Sequence, residues 1–555
     1  MVNAKRLYVY GVLGAALVLV LWGLTSILQW AGRSIAAAIG SRDVVGADVA
    51  LDQLSLAIAL VVVAAPIWAV HFWLAQQPLK GAPEVAADER ASPARATYFY
   101  LVLTIAGGIA LLQLYESVQE ILRVALTPEQ AWGLAGSIAG AAVLGAAWLG
   151  HVWWRRADLL AAPARTANDW LTRAYVYSGL FILAVLLAFW VGSAAAVLIG
   201  ELVDARAMRD PWETWQMSFV GPAAGVVGAT VGWSAQWFIG RWLIRADPPL
   251  GAAHRASRTR TGYFLAVVLV CAAAVLALFA SSLRHVVAEG FGAWRPTDGS
   301  RWIEDLALPL IMVVPFAVAW WWHWWQGMRE ALAFGGRQRH ENVRRSGLYG
   351  LAFVGLAGLA VGAAWVIEAV LAYADASRDM ARTEVLWDEV APALATLVVS
   401  IILWAPAWRL VRRDFAATPA LVAGTMPRRA YLLLVSGLAV VALMGSVAFI
   451  AYHVMRLLLG VEVETSSAWP IAAAIVAGVV LAYHLWRLRL DARLVAAQPE
   501  PLPLVDGSEP AARVRETVEL SAPAGTDLAD LNETIREHLP EGVEIRVTGE
   551  SPEPR

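Results

Sequence analysis

The 555-residue sequence predicts an all-α polytopic membrane protein, with twelve transmembrane helices as six parallel two-helix repeats plus a small β-α-β cytoplasmic tail. Three observations carry this expectation. Hydrophobic residues make up 59% of the chain and charged residues 16%, with a mean hydropathy of +0.58, too apolar for a soluble globular domain. The apolar residues fall into continuous runs of about 20, enough for a helix to cross about 30 Å of hydrocarbon. The runs lack the period-two alternation of a lipid-facing barrel strand. Finally, a similar signature recurs at the ends of successive runs.

The elements follow in order. Residues 7–29 come directly after Lys5 and Arg6, and the run exceeds the apolar stretch of a signal peptide, so it reads as an uncleaved anchor. Residues 53–75 return the chain to its starting side. The same alternation continues through 97–119 and 132–154, 174–200 and 217–242, 262–288 and 306–327, 347–373 and 389–411, and 430–459 and 468–490. Basic residues gather after the second member of each pair, as in Arg155, Arg156, Arg165 and Arg173, whereas Arg123 stands alone between 119 and 132. By the positive-inside rule both termini are expected to be cytoplasmic, in a bacterial cell inner membrane. The single cysteine, Cys271, excludes a disulfide framework or a cysteine-based zinc site. The net charge of −2 gives no global basic field for nucleic acid.

Residues 1–168 are expected to hold repeats one and two, 169–341 repeats three and four, and 342–498 repeats five and six. Residues 499–555 form an acidic cytoplasmic tail with a Pro-rich linker. In that tail Val514, Val518 and Leu520, and later Val543, Ile545 and Val547, alternate like strands. Between them Leu528, Leu531, Ile535 and Leu539 share a helical face, which suggests a β-α-β unit too small to stand alone. Self-association or docking on the membrane portion through the tail is the expectation.

Each odd run is led by an arginine with a nearby tyrosine: Arg6 with Tyr8 and Tyr10, Arg95 with Tyr98 and Tyr100, and Arg173 with Tyr175 and Tyr177. The series continues with Arg260 and Tyr263, Arg345 and Tyr349, and Arg429 and Tyr431. Even runs close on a Trp/His/Trp signature: Trp68, His71 and Trp73; Trp148, His151 and Trp153; Trp320, His323 and Trp325; and finally His484 with Trp486. The third unit has Gln236 in place of His, and the fifth keeps Trp404 and Trp408 without one. A unit containing an even number of spans repeats in parallel orientation. These motifs resemble the bacterial membrane family known as domain of unknown function 5671, in tandem copies over residues 1 to about 495. The resemblance implies a helical multi-pass fold and brings no activity or catalytic residues.

The repeated motif Trp68, His71, Trp148, His151, Trp320, His323, His484 and Trp486 admits three readings: interfacial anchoring, protonation-linked sensing, or a metal or haem ligand. Anchoring accounts for it most simply, and no cofactor is expected. The intramembrane polar candidates are Glu116, Arg284, His285, Glu368 and His453, with Gln113 and Glu120 beside the first, close to the outer interface. The small-residue pairs Gly136/Gly140, Gly228/Gly232 and Gly358/Gly362 suit close helix packing. No nucleotide loop, zincin motif or nucleophile elbow occurs, so no enzymatic activity is expected. The expected partners are membrane lipids, including anionic headgroups at the cytoplasmic arginines, and not nucleic acid. A membrane scaffold or sensor is the leading functional expectation. Its alternative is ion or small-solute translocation through the bundle, which needs a wettable route across the centre.

Overall fold

A computed structural model describes residues 2–38, 47–126, 134–161, 169–202, 215–244, 257–292, 302–375, 385–459 and 468–497. The chain divides into two units, Met1–Gln498 and Pro499–Arg555, and the second lies outside the described residues. In the first unit every long apolar run folds as a helix, because a helix satisfies all its backbone hydrogen bonds within one segment. The helices are α1 Val2–Ala38, α2 Ala47–Gln76, α3 Pro83–Arg90, α4 Pro93–Leu126, α5 Leu134–Ala161, α6 Asp169–Leu202 and α7 Trp215–Ile244. They continue as α8 Arg258–Gly290, α9 Trp302–Asp375, α10 Ala391–Ala417, α11 Pro419–Gly424, α12 Met426–Leu458 and α13 Ala468–Ala496. Helix α9 turns at Gly336, where φ is +64°, a backbone conformation that disfavours a side chain. Its two arms, Leu306–Phe334 and Gly336–Leu371, are separate spans.

Two expectations are corrected. The fold is all-α: no strand occurs among the described residues, and the β-α-β tail placed at 499–555 falls outside them. Three alternating apolar residues are too short a pattern to specify a strand. The described residues also hold 11 helices that are long and apolar enough to cross a membrane, not twelve. The run at 217–242 forms the 30-residue α7, but Gly221, Pro222, Gly225, Gly228, Gly232 and Ser234 dilute its hydropathy.

Packing follows a simple rule. Each hairpin packs on itself, α1 on α2, α4 on α5, α6 on α7, the first arm of α9 on α8, the second arm on α10, and α12 on α13. The first helix of each hairpin also packs on the second helix of the next: α1 on α5, α4 on α7, α6 on the first arm of α9, α8 on α10, and the second arm of α9 on α13. The result is a row of hairpins, each built against its neighbour, as in a helical repeat array. Small residues set the spacing. A Cβ on Gly140 would clash with Oε1 of Gln113, and one on Gly362 would lie 2.9 Å from the backbone N of Leu397. Gly228 and Gly232 of α7 face Tyr115 and Leu111 of α4. Where lipid supplies no hydrophobic drive between helices, this close approach gains dispersion contacts instead.

Candidate functional site

The charged groups that the helices bury collect on one face of the row, where the first helix of each hairpin begins and the second finishes. In the second hairpin, Ser92 caps α4 and accepts a hydrogen bond from the backbone N of Arg95 at 3.2 Å. The cap aims Arg95 back at α5, where Nε meets Oδ2 of Asp158 at 2.6 Å and Nη2 meets Oδ1 at 3.1 Å. Its third donor, Nη1, reaches Oη of Tyr10 in α1 at 3.0 Å, and Tyr10 donates to Glu89 of α3 at 2.6 Å. Arg6 closes the network on Glu89 at 2.7 Å and Asp88 at 2.5 Å. Arg95 and Asp158 are only 3% and 5% exposed, so the pair is stable only because both charges are matched and their remaining hydrogen bonds are filled.

The same constellation returns twice. Arg260, capped through Ser257, holds Glu330 at 2.5 and 2.6 Å and reaches Tyr177 at 3.2 Å. Arg428 holds Asp491 in the same forked manner, with Nη2 to Oδ1 at 3.0 Å, and reaches Tyr349 at 3.2 Å. In each case the tyrosine comes from the preceding hairpin and packs against the ring of the tyrosine three residues after the arginine. Ring centroids are 5.6 Å apart for Tyr10 and Tyr98, 5.8 Å for Tyr177 and Tyr263, and 5.3 Å for Tyr349 and Tyr431. The structural unit is therefore a double hairpin used three times, finer in detail than six equal hairpins.

The repeated histidines belong to these clusters. His151, His323 and His484 are 3%, 4% and 2% exposed, which places them inside the bundle and not at a headgroup surface. In each, Nδ1 lies 2.7 to 2.8 Å from the carbonyl oxygen four residues earlier, of Ala147, Ala319 and Val480. A carbonyl only accepts, so Nδ1 carries the proton, and in the neutral imidazole Nε2 accepts. The donor is the second tyrosine of each pair: Tyr98 at 2.9 Å, Tyr263 at 2.9 Å and Tyr431 at 3.4 Å. With both ring nitrogens engaged, these histidines present no lone pair to a metal or haem. His71 is half-buried, bonded to the carbonyl of Ile67 and set edge-on to Tyr8. Trp68 stacks on Phe72, and Trp148 donates to Tyr175 at 2.9 Å. Trp320 packs on the core around Tyr263, while Trp486 is exposed.

The outer candidates fall on different helices. Glu116 is exposed on α4 and accepts from Gln113 at 2.9 Å. Arg284 donates to His285 at 3.3 Å, and both lie against Trp387. Glu368 is half-buried on the second arm of α9, and His453 is buried on α12 beside Phe449 and Tyr452. A cleft of about 960 Å³ runs between α1 and α4 from Arg6 and Tyr10 to Gln29 and Gln113, walled by residues such as Leu17, Leu21, Val102 and Ile105. A second, of about 430 Å³, lies between α1 and α2 with an apolar lining. None of Glu116, Arg284, His285, Glu368 and His453 lines either.

The carboxylates were missed in the sequence although a signal exists: each lies seven residues after its histidine, at Asp158, Glu330 and Asp491, two helical turns on along the same face. A Ser or Thr three residues before the arginine, at Ser92, Ser257 and Thr425, is the companion signal, and it selects Arg428 over the expected Arg429. In the fifth hairpin Arg344, next to the expected Arg345, bonds Asp414.

Residues 6–133 and 345–483 match the family described as domain of unknown function (DUF5671). The chain carries two copies of that domain. The step from residue 6 to 345 equals the step from Tyr10 to Tyr349, so the two DUF5671 copies fall on the first and third double hairpins in the same register. Between them lies the double hairpin in which Gln236 replaces histidine. No curated protein and no solved structure matches the chain.

Proposed function

We propose that this multi-pass protein is a non-enzymatic membrane scaffold, in which the three buried clusters hold the hairpins of the row in fixed register. The observation that carries the reading is the coupling of three helices from two adjacent hairpins by one arginine. Arg95 on α4 joins Asp158 on α5 to Tyr10 on α1, and Arg260 and Arg428 do the same in the other two copies. A conduit would instead place polar groups along a route through the centre. The two clefts described above are apolar over most of their walls, and the buried charges sit at one end.

The scaffold is placed in an inner membrane with both termini cytoplasmic, on the loop asymmetry of its basic residues. Its charged end carries the exposed Arg409, Arg412 and Arg413, which suit anionic headgroups. Reconstitution into liposomes loaded with ion- and proton-sensitive dyes tests the reading. Leak no greater than in protein-free liposomes, under either polarity of gradient, is the expected result. Selective flux that is lost in Glu116→Gln or Glu368→Gln would replace the scaffold with a translocator.

A further inference from the structure

The packing rule leaves two helices unfinished. The first helix of every hairpin but the last packs on the second helix of the next hairpin, yet among the described residues no such helix packs on α12, which begins the last. Conversely, among the described residues α2 receives no such contact. Among the described residues it packs extensively on α1 alone, and its span is the least buried of the 11. A row that ends in two complementary halves of its own internal contact is completed by another copy of itself. We infer that the chain associates head to tail in the membrane, with α12 of one copy against α2 of the next.

The repeats fix the register of this contact. Where α4 meets α7, Leu111, Tyr115 and Gln119 lie against Gly232, Gly228 and Gly221. Aligning Tyr431 on Tyr98 carries the first three to Met444, Ala448 and Tyr452 of α12. Aligning His71 on Gln236 carries the glycines to Ile67, Val63 and Leu56 of α2. All six are exposed, with Met444 at 66%, Tyr452 at 54%, Val63 at 63%, Leu56 at 57% and Ile67 at 42%. At the centre of the contact the large and small partners exchange sides: Tyr115 against Gly228 becomes Ala448 against Val63. On α12, Gly437 and Gly445 have open space over their Cα atoms, which leaves room for the bulkier residues of α2. The contact is heterologous, so one patch never meets itself and the assembly grows as a ring or a row.

Paired cysteines test this in the full-length chain in native membranes, in a Cys271→Ala background and with a short bifunctional maleimide. Tyr115→Cys with Gly228→Cys is the internal control. Those two Cβ positions are 3.8 Å apart, and the link must form within one chain. Val63→Cys with Ala448→Cys is expected to give dimers, trimers and larger species on a denaturing gel. Chains with only one of the two cysteines should stay monomeric alone and give dimers when the two are co-expressed. A control that links while Val63→Cys with Ala448→Cys stays monomeric would overturn the inference. So would dimers formed by a single-cysteine chain alone, since that contact is self-complementary. The readout is independent of whether solutes cross the membrane.

Discussion

Oη of Tyr98 lies 2.9 Å from Nε2 of His151, whose Nδ1 lies 2.7 Å from the carbonyl oxygen of Ala147. For a neutral imidazole the two bonds leave one tautomer, with the proton on Nδ1. Tyr98→Phe removes the donor and strands a buried acceptor, at a cost of about 1–3 kcal/mol. Unfolding of the purified protein, followed by tryptophan fluorescence, should show that loss. Nitrogen NMR of imidazole-labelled protein should find Nδ1 protonated and Nε2 bare, and the reverse pattern would sink the assignment.

Arg95 and Asp158 call for a different experiment, because a buried ion pair is weak evidence of stability until it is broken. Asp158→Ala leaves a guanidinium buried against Tyr10 with its charge unmatched, and the expected loss is about 3–5 kcal/mol. Joint replacement, Arg95→Met with Asp158→Leu, removes both charges and should recover most of it. A double-mutant cycle in denaturant measures the coupling. If the single and joint variants lose the same amount, the pair does not act as a unit.

Gly362 and Gly108 offer a contrast in packing. A Cβ on Gly362 would meet the backbone of Leu397 at 2.9 Å, whereas one on Gly108 meets nothing within 4 Å. Gly362→Ala therefore forces the second arm of α9 away from α10, with an expected loss of about 1–3 kcal/mol. Gly108→Ala should be neutral or slightly stabilising, since alanine restricts the unfolded chain. Equal effects in a thermal melt would mean that the close approach of the two helices is not under load.

The helices were legible because a continuous apolar run of span length permits little else. The small-residue contacts at Gly140, Gly232 and Gly362 were legible because glycines one turn apart mark a close approach of helices. The clusters were half legible. Arginine, tyrosine and histidine stood out by repetition, but Asp158, Glu330 and Asp491 look like ordinary loop charges until two helices are brought together. The histidines were read as surface anchors because sequence gives depth along a helix and not the direction a side chain faces. His151 and the exposed Trp153 lie two residues apart and point to opposite environments. The period was read as one hairpin because tyrosines occur in every unit. The offset that matters, three residues after Arg95, Arg260 and Arg428 but four after Arg6, Arg173 and Arg345, shows a period of two.

Gln236 gives the sharpest test of this logic, since it stands where four of the six hairpins have histidine. Its Nε2 donates to two carbonyl oxygens of α6, of Tyr175 at 3.1 Å and Val176 at 3.4 Å. In the register of Tyr98 and Tyr263 the third hairpin has Val176, so no hydroxyl occupies that position. Gln236→His would therefore set a ring nitrogen against carbonyls that can only accept, and its single N–H cannot serve both. The expected cost is about 1–3 kcal/mol. Adding Val176→Tyr supplies the missing hydroxyl at the position of Tyr98 and should return part of that loss. Chemical denaturation of the three variants decides it: if Gln236→His is as stable as the parent, the amide has no special role at this position.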